Sequence, residues 1–319
     1  MPFTFAHPAA VLPLKKFCPR LNMPALITGS ITPDLGYYMH NWMWSVSGHS
    51  FHGSLTFDVP AGLILLSIFY LSIRPISRLL PYPHREACNQ ICPEIKLPSL
   101  SSLLLASFSI LIGAWTHIIW DGFTHANGWC VREFAALTPT VFTLYGYNIT
   151  VWQCLQQASS VLGLIFLAWA YKNYAYGKRF LRQQDYLGAP ARFGILLSTA
   201  ILPAVYAVAT TAKSVLHGNF SMHQLDIFSF NAIVLYVSIQ LPLLIASGIL
   251  ISLYEYVALH FAKPQRASKI ATEKNSMPAS SVLALPKESV APSLLTSSGV
   301  GTAVRPSTAN LSASGNHAN

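Results

Sequence analysis

Five long apolar stretches constrain this chain more than any other feature. They run from about Phe57 to Ile73, Leu100 to Trp120, Val151 to Tyr171, Phe193 to Ala212 and Phe228 to Leu259. Crossing the hydrocarbon core of a bilayer takes roughly 20 mostly apolar residues. Lipid offers no partner to open backbone groups, so each stretch is expected to be a helix. Asp58 and Pro60 stand where the first helix should start. Pro242 inside the fifth stretch predicts a kink or tilt. Only 10% of the 319 residues are charged, whereas soluble domains carry roughly 25%. A chain so short of charge cannot clothe itself in a solvated surface. The expected fold is therefore all-α, a polytopic transmembrane helix bundle of about five spans.

Three parts follow from the pattern. Residues 1–56 form an N-terminal segment whose best apolar window, MPALITGSITPDLGYYM, is broken by Gly29, Pro33 and Asp34. It reads as interfacial or re-entrant rather than as a full span of residues 23–39. Residues 57–261 form the transmembrane helical domain. Residues 262–319 are rich in Ser, Ala, Thr and Pro without an apolar period, and are expected to be a disordered tail. The opening MPFTFAHPAAVLPLKK has no apolar region of signal-peptide length, and its positive charges follow the apolar residues.

The formal charge of +9 would suggest nucleic acid in a soluble protein. Here the basic residues lie between apolar runs, which points to control of topology and not to nucleic acid. Five spans put five basic residues (Lys15, Lys16, Arg20, Arg132, Lys213) on one side and the other fifteen of the 20, the tail's included, on the opposite side. The basic loops and tail are expected to be cytoplasmic. The five cysteines are scattered and odd in number, which is no disulfide framework. Cys88 and Cys92 beside His84 resemble half of a metal site, but no second pair completes it.

The same topology sorts the histidines. His7, His40, His49, His52, His117, His125, His217 and His223 fall on the side away from the basic loops, as do Asp34, Asp121 and Asp226. The sharpest motif is Thr116-His117-Ile118-Ile119-Trp120-Asp121-Gly122-Phe123-Thr124-His125. In a helix His117 and Asp121 share a face one turn apart, and His125 follows one turn later if the helix continues past Gly122. Neutral imidazoles and carboxylates are ordinary ligands for zinc and similar divalent ions. Ionisable groups within a spanning segment are costly and usually functional. Ser47-Gly48-His49-Ser50-Phe51-His52-Gly53 places two further histidines just before the first span. Gly29-Ser30-Ile31-Thr32-Pro33-Asp34 is a turn that presents a carboxylate. His217, His223 and Asp226 lie on the right side without a telling spacing.

Taken in order, MPFTFAHPAAVLPL, ALITGSITPDLGYY, SGHSFHG, FDVPAGL and GAWTHIIWDGFTHANGW resemble a bacterial membrane-protein family classed as a domain of unknown function. The resemblance covers roughly residues 1–170. It is similar in motif style to membrane proteins described as metal-dependent hydrolases. It implies ligand roles for His7, Asp34, His49, His117, Asp121 and His125, and none for His40 or His52. It also implies a bacterial cytoplasmic (inner) membrane as the location.

The leading expectation is a membrane-embedded metal-dependent hydrolase. His7, His49, His117, Asp121 and His125 are its metal ligands, and Asp34 or Asp121 the general base. The ion is a divalent metal such as zinc. A site at the bilayer edge would suit an amphiphilic substrate, a lipid or phosphoester, whose phosphate Lys15, Lys16 and Arg20 could meet. Two alternatives stand beside it: a transporter or scaffold using the cluster as a relay, and a structural metal clasp that holds the N-terminal segment to the helix ends.

Overall fold

Capping residues mark where the helices begin. The computed structural model describes residues 3–91, 98–144, 146–178, 180, 187–216 and 222–276. Among them eight helices have seven residues or more: α1 (Met23–Ile31), α2 (Trp42–Gly48), α3 (Val59–Ser77), α4 (His84–Ile91), α5 (Leu100–Thr124), α6 (Val151–Gly177), α7 (Ala189–Leu216) and α8 (Met222–Ser276). Asn22, Asn41 and Ser99 each accept a first-turn amide with the side chain, at the heads of α1, α2 and α5. Thr150 and Gln153 form a reciprocal capping box at α6.

Five helices are long and apolar enough to cross a membrane: Phe51–Ser77, Leu100–Glu133, Val151–Gly177, Ala189–Ala212 and Gln224–Leu259. They are the five the hydropathy predicts. The protein is a polytopic transmembrane helix bundle. Residues Met1–Pro264 form one compact unit. The helical backbone of α8 is described to Ser276, and residues 277–319 of the expected tail lie outside the described residues.

Among the described residues, α1 is not one of the helices long and apolar enough to cross a membrane. At nine residues α1 is about 14 Å long, too short for the hydrocarbon core. It lies parallel to the second half of α5. Asn22 N donates to Ser109 Oγ at 3.0 Å, and His117 Nδ1 meets the Ser30 carbonyl at 2.8 Å. Both pairs are 87 residues apart, so the two helices run side by side in one register. Glycine makes that approach possible. A Cβ on Gly29 would strike the Ile110 backbone, and one on Gly113 would strike the Leu26 carbonyl. Small residues of this kind let helix backbones meet where lipid supplies no hydrophobic drive. Broken backbone at this depth is tolerated because protein surrounds it.

Helix α3 runs antiparallel to α5. Trp115 Nε1 donates to Ser54 Oγ at 2.9 Å near one end, and Leu66 packs with Ala106, Ile110 and Ala25 further along. The start of α3 and the end of α5 therefore share a membrane level, and the α1 turn joins them there. One detail departs from the sequence reading. The helix begins at Phe51 and passes through a wider π turn at Ser54–Asp58, so the amides after Asp58 already have partners upstream. Asp58 caps nothing with its side chain. A short antiparallel hairpin, β1 (Thr140–Leu144) and β2 (Tyr147–Thr150), supplies the only strands among the described residues. Gly146, at φ +77°, supplies the left-handed residue its turn needs.

Candidate metal centre

Four side chains from three separate segments converge at this level: Asp34 from the 3-10 turn after α1, His49 from the end of α2, and His117 and Asp121 from α5. Each offers one donor atom, and all four atoms lie within 4.8 Å of one another. His49 Nε2 is 3.3 Å from Asp34 Oδ1 and 3.3 Å from Asp121 Oδ2. His117 Nε2 is 3.6 Å and 3.3 Å from the same two oxygens. Zinc bonds of 2.0–2.2 Å in a tetrahedron separate neighbouring donors by about 3.3–3.5 Å. Four of the separations come close to that spacing, and this group could hold a metal ion.

The orientation of each donor has a local cause. His117 Nδ1 sits on the Ser30 carbonyl at 2.8 Å and His49 Nδ1 on the Ser45 carbonyl at 2.7 Å. A carbonyl only accepts, so each Nδ1 carries the hydrogen and donates. In the neutral ring Nε2 is then a lone pair aimed at the centre. Asp34 is held by Thr4, whose Oγ1 donates to Oδ2 at 2.5 Å, and Thr4 in turn accepts from Tyr38 OH at 2.9 Å. That chain leaves Asp34 Oδ1 without a hydrogen-bond partner, as are His117 Nε2 and both Asp121 carboxylate oxygens. Buried polar atoms left unbonded cost free energy. Here they all face one point.

Two more histidines flank the four. His7, just before the turn at Pro8, stacks on His117 with ring centroids 3.7 Å apart. Its Nε2 lies 3.5 Å from Asp121 Oδ1. His125 follows the last residue of α5, which does run past Gly122. Its Nδ1 bonds the Asp121 carbonyl at 3.1 Å and lies 3.6 Å from Asp121 Oδ2. Trp129 closes over Gly122, where any Cβ would meet the indole. Asp34 and His117 are wholly buried, whereas the His49 and His125 side chains are 23% and 29% exposed. Access is from that side.

Charge accounts for the proton positions. Burial works against a proton on His49, but the flanking Asp121 and Asp34 carboxylates outweigh it and raise the imidazole to about 9. Burial lowers His7 to about 3, with His117 pushing the same way. Burial opposes ionisation of Asp34, yet the charge of neighbouring His117 wins and holds the carboxyl low. Burial also raises the Tyr38 phenol to about 12, so it stays a donor to Thr4.

Other candidates stay apart. His40 and His52 are exposed, and His40 has a left-handed backbone at φ 51°. Asp226 is exposed on α8. His217 and the His223 side chain lie outside the described residues, as does Cys92. The Lys15 amine is occupied by the Pro19 and Leu21 carbonyls, each at 2.6 Å, so it is not a free phosphate ligand. Sequence reasoning missed Asp58. It is fully buried, and neither of its carboxylate oxygens has a hydrogen-bond partner. A Cβ on Gly48, which neighbours His49, would come within 3.0 Å of Asp58 Oδ1. Its place before Val59-Pro60 looked like a cap and concealed it.

These features define a class: a multi-pass α-helical membrane protein with a buried His/Asp centre where helix ends meet the N-terminal segment. The chain belongs to the DUF4184 family, a domain of unknown function, whose model matches residues 1–255. The match runs well beyond the 1–170 stretch that carries the sequence motifs. No curated protein and no solved structure matches the chain.

Proposed function

We propose that this protein is a metal-dependent hydrolase acting on an amphiphilic lipid or phosphoester at the bilayer edge. The observation that carries the reading is the convergence of Asp34, His49, His117 and Asp121, whose donor atoms all lie within 4.8 Å of one another. Two carboxylates and two neutral imidazoles balance a divalent cation, and the all N/O donor set suits zinc and its borderline neighbours. When bound, such an ion lowers the pKa of water to about 7 and so supplies a nucleophile at neutral pH. The chain's own groups do the rest. Thr4 holds Asp34 Oδ2 and so fits Asp34 to orientation rather than proton transfer. Asp121 Oδ1, which faces His7, remains to take the proton from water. His125, at the open rim and 3.6 Å from the Asp121 carboxylate, is placed to pass that proton from Asp121 to the ester oxygen as its bond breaks. Exposed Trp42, Met43, Trp44 and Phe51 lie on the segments around His49 and suit an amphiphile delivered from lipid. The location we favour is a bacterial cytoplasmic membrane, with the basic loops and the tail inside.

One observation favours a second reading. Four protein donors make a closed structural shell, which would serve as a clasp. Against it stand the exposed rim at His49 and the polar groups His7, His125 and Asp58, which a clasp has no use for. Elemental analysis of detergent-purified protein tests the site, comparing wild type with the His117→Ala, Asp121→Ala double variant. One metal per chain, lost in the variant, justifies screening phosphoesters and lipids. A metal that exchanges freely and supports turnover separates hydrolase from clasp. No metal in either protein sinks both.

A further inference from the structure

The hairpin between α5 and α6 has two unlike faces. Across β1 and β2, Phe142 pairs with Ile149 and Leu144 with Tyr147. Cross-strand partners and alternate residues share a face, so these four side chains lie together. The opposite face carries Thr143 and Asn148, which are also paired, and the Thr143 hydroxyl donates to Asn148 Oδ1 at 2.8 Å. Val141 stands where the register shifts. The apolar side is open: Val141, Phe142 and Leu144 are 56%, 50% and 42% exposed. The base of the hairpin is fixed to a spanning helix. Val151 N donates to the Pro139 carbonyl at 3.0 Å, and Gln153 Nε2 donates to Tyr147 OH at 3.0 Å.

Position and composition identify what meets the open face. The stretch from Val151 to Tyr171 carries no charge. At 1.5 Å per residue it rises about 31 Å, the thickness of the hydrocarbon core. Thr150 and the hairpin then stand at the boundary of the bilayer, on the side where α5 ends. Helix α6 is almost entirely open along its apolar window, so the hairpin continues a surface that faces lipid. No Lys, Arg, His, Asp or Glu occurs between Glu133 and Lys172, although a water-borne loop would carry roughly one charge in four residues. Exposed Trp129 and Phe134 precede the hairpin, as aromatic residues do at membrane boundaries. A two-stranded ribbon also has open backbone edges, which hydrocarbon cannot satisfy, so it stops among the headgroups. We propose that the hairpin lies on the bilayer with Phe142, Leu144, Tyr147 and Ile149 at the boundary between headgroups and acyl chains. Its partner is the apolar part of the lipid. The hairpin offers no cation to an anionic headgroup, so the contact is indifferent to lipid charge and to salt.

The test uses the full chain in phosphatidylcholine vesicles. The photo-reactive residue p-benzoylphenylalanine replaces Phe142, Leu144, Thr143 or Asn148, one at a time, and lipid adducts are read by mass spectrometry after irradiation. The probes at Phe142 and Leu144 should give at least fivefold more adduct than those at Thr143 and Asn148. The yields should stay within twofold in phosphatidylglycerol vesicles and in high salt. In a second measurement the probe sits at Tyr147, and Phe142→Asp with Leu144→Asp should lower its lipid adduct at least fivefold while the protein keeps its thermal stability in detergent. Equal yields on the two faces, or an unchanged yield in the charged variant, overturn the proposal. Crosslinks to a second chain in place of lipid also overturn it, because the face then joins copies of this protein. Adducts confined to anionic vesicles overturn it as well, because the partner is then headgroup charge.

Discussion

The two buried polar clusters at the ends of α3 are built differently. At one end lone pairs converge. Carboxylates and Nε2 atoms face one another, each turned inward by a backbone carbonyl or a hydroxyl behind it. At the other end Arg78, Arg85 and Arg192 gather on the carboxylate of Glu255. The first could hold a cation, and the second is a set of ion pairs gathered on Glu255. Their surroundings differ too. Of the most apolar windows, 39% of the one in α5 is buried and only 6% of the one in α6. The metal centre needs rigid positioning, and the glycine-packed α1–α5 pair supplies it. Helices that mainly face lipid need only be apolar.

The sharpest way to break the contrast is to disable each end in turn. His117→Ala with Asp121→Asn should reduce bound metal from one per chain to under a tenth. Arg78→Gln should leave metal content unchanged. If Arg78→Gln also lost the metal, the two ends would be one coupled unit rather than two independent clusters.

How much of this was legible in the sequence differs between the ends. Hydropathy fixes the spans because length and apolarity are local properties. The His117–Asp121 pairing is also local, one helical turn. The approach of Asp34 and His49 was not deducible from spacing, because it depends on α1 lying parallel to α5 with partners 87 residues apart. Family-like motifs, not periodicity, pointed to those two. The arginine cluster was invisible, since Arg78, Arg85 and Arg192 look like ordinary topology-setting charges until α8 brings Glu255 among them. The hairpin left a readable signal in Thr140–Leu144 and Tyr147–Thr150, where β-branched and aromatic residues flank a glycine, but no reading of long apolar runs looks for it.

Next in size is a packing test confined to the metal end. Gly113→Val would drive side-chain atoms into the Leu26 and Ser30 backbone. Parting α1 from α5 should cost about 1–3 kcal/mol of stability and withdraw both the Ser30 carbonyl and Asp34 from His117. Thermal unfolding should shift down by several degrees and metal should be lost with it. The matching change at Gly177, where no atom lies within 4 Å of a new Cβ, should leave both nearly unchanged. Equal losses at the two positions would show that the close α1–α5 contact is not what holds the site.

Proton competition separates the ends more gently. The ion-free His49 is raised to about 9 from an ordinary value of 6.5. The stability it contributes to the metal-free protein is therefore complete below about 6.5 and is lost as pH rises through about 9. A metal ion must displace that proton and the one that charges His117, so apparent metal affinity should fall by more than about tenfold per unit as pH drops from 8 to 6. His7, lowered to about 3, adds nothing to the slope in that range. Titration calorimetry at several pH values reads it directly. A flat profile would mean that His49 is not a ligand.

The smallest effect tests whether the atoms behind the donors matter. Thr4→Val keeps the shape of the side chain but removes the hydroxyl that donates to Asp34 Oδ2. Losing an outer hydrogen bond to a ligating carboxylate typically costs about tenfold or somewhat more in metal affinity. Tyr38→Phe removes only the donor behind Thr4, so it should cost less, and nothing further once Thr4 is already valine. Additive losses in that double-mutant cycle would show that Tyr38 acts elsewhere, because two residues in one hydrogen-bonded chain to Asp34 cannot contribute independently.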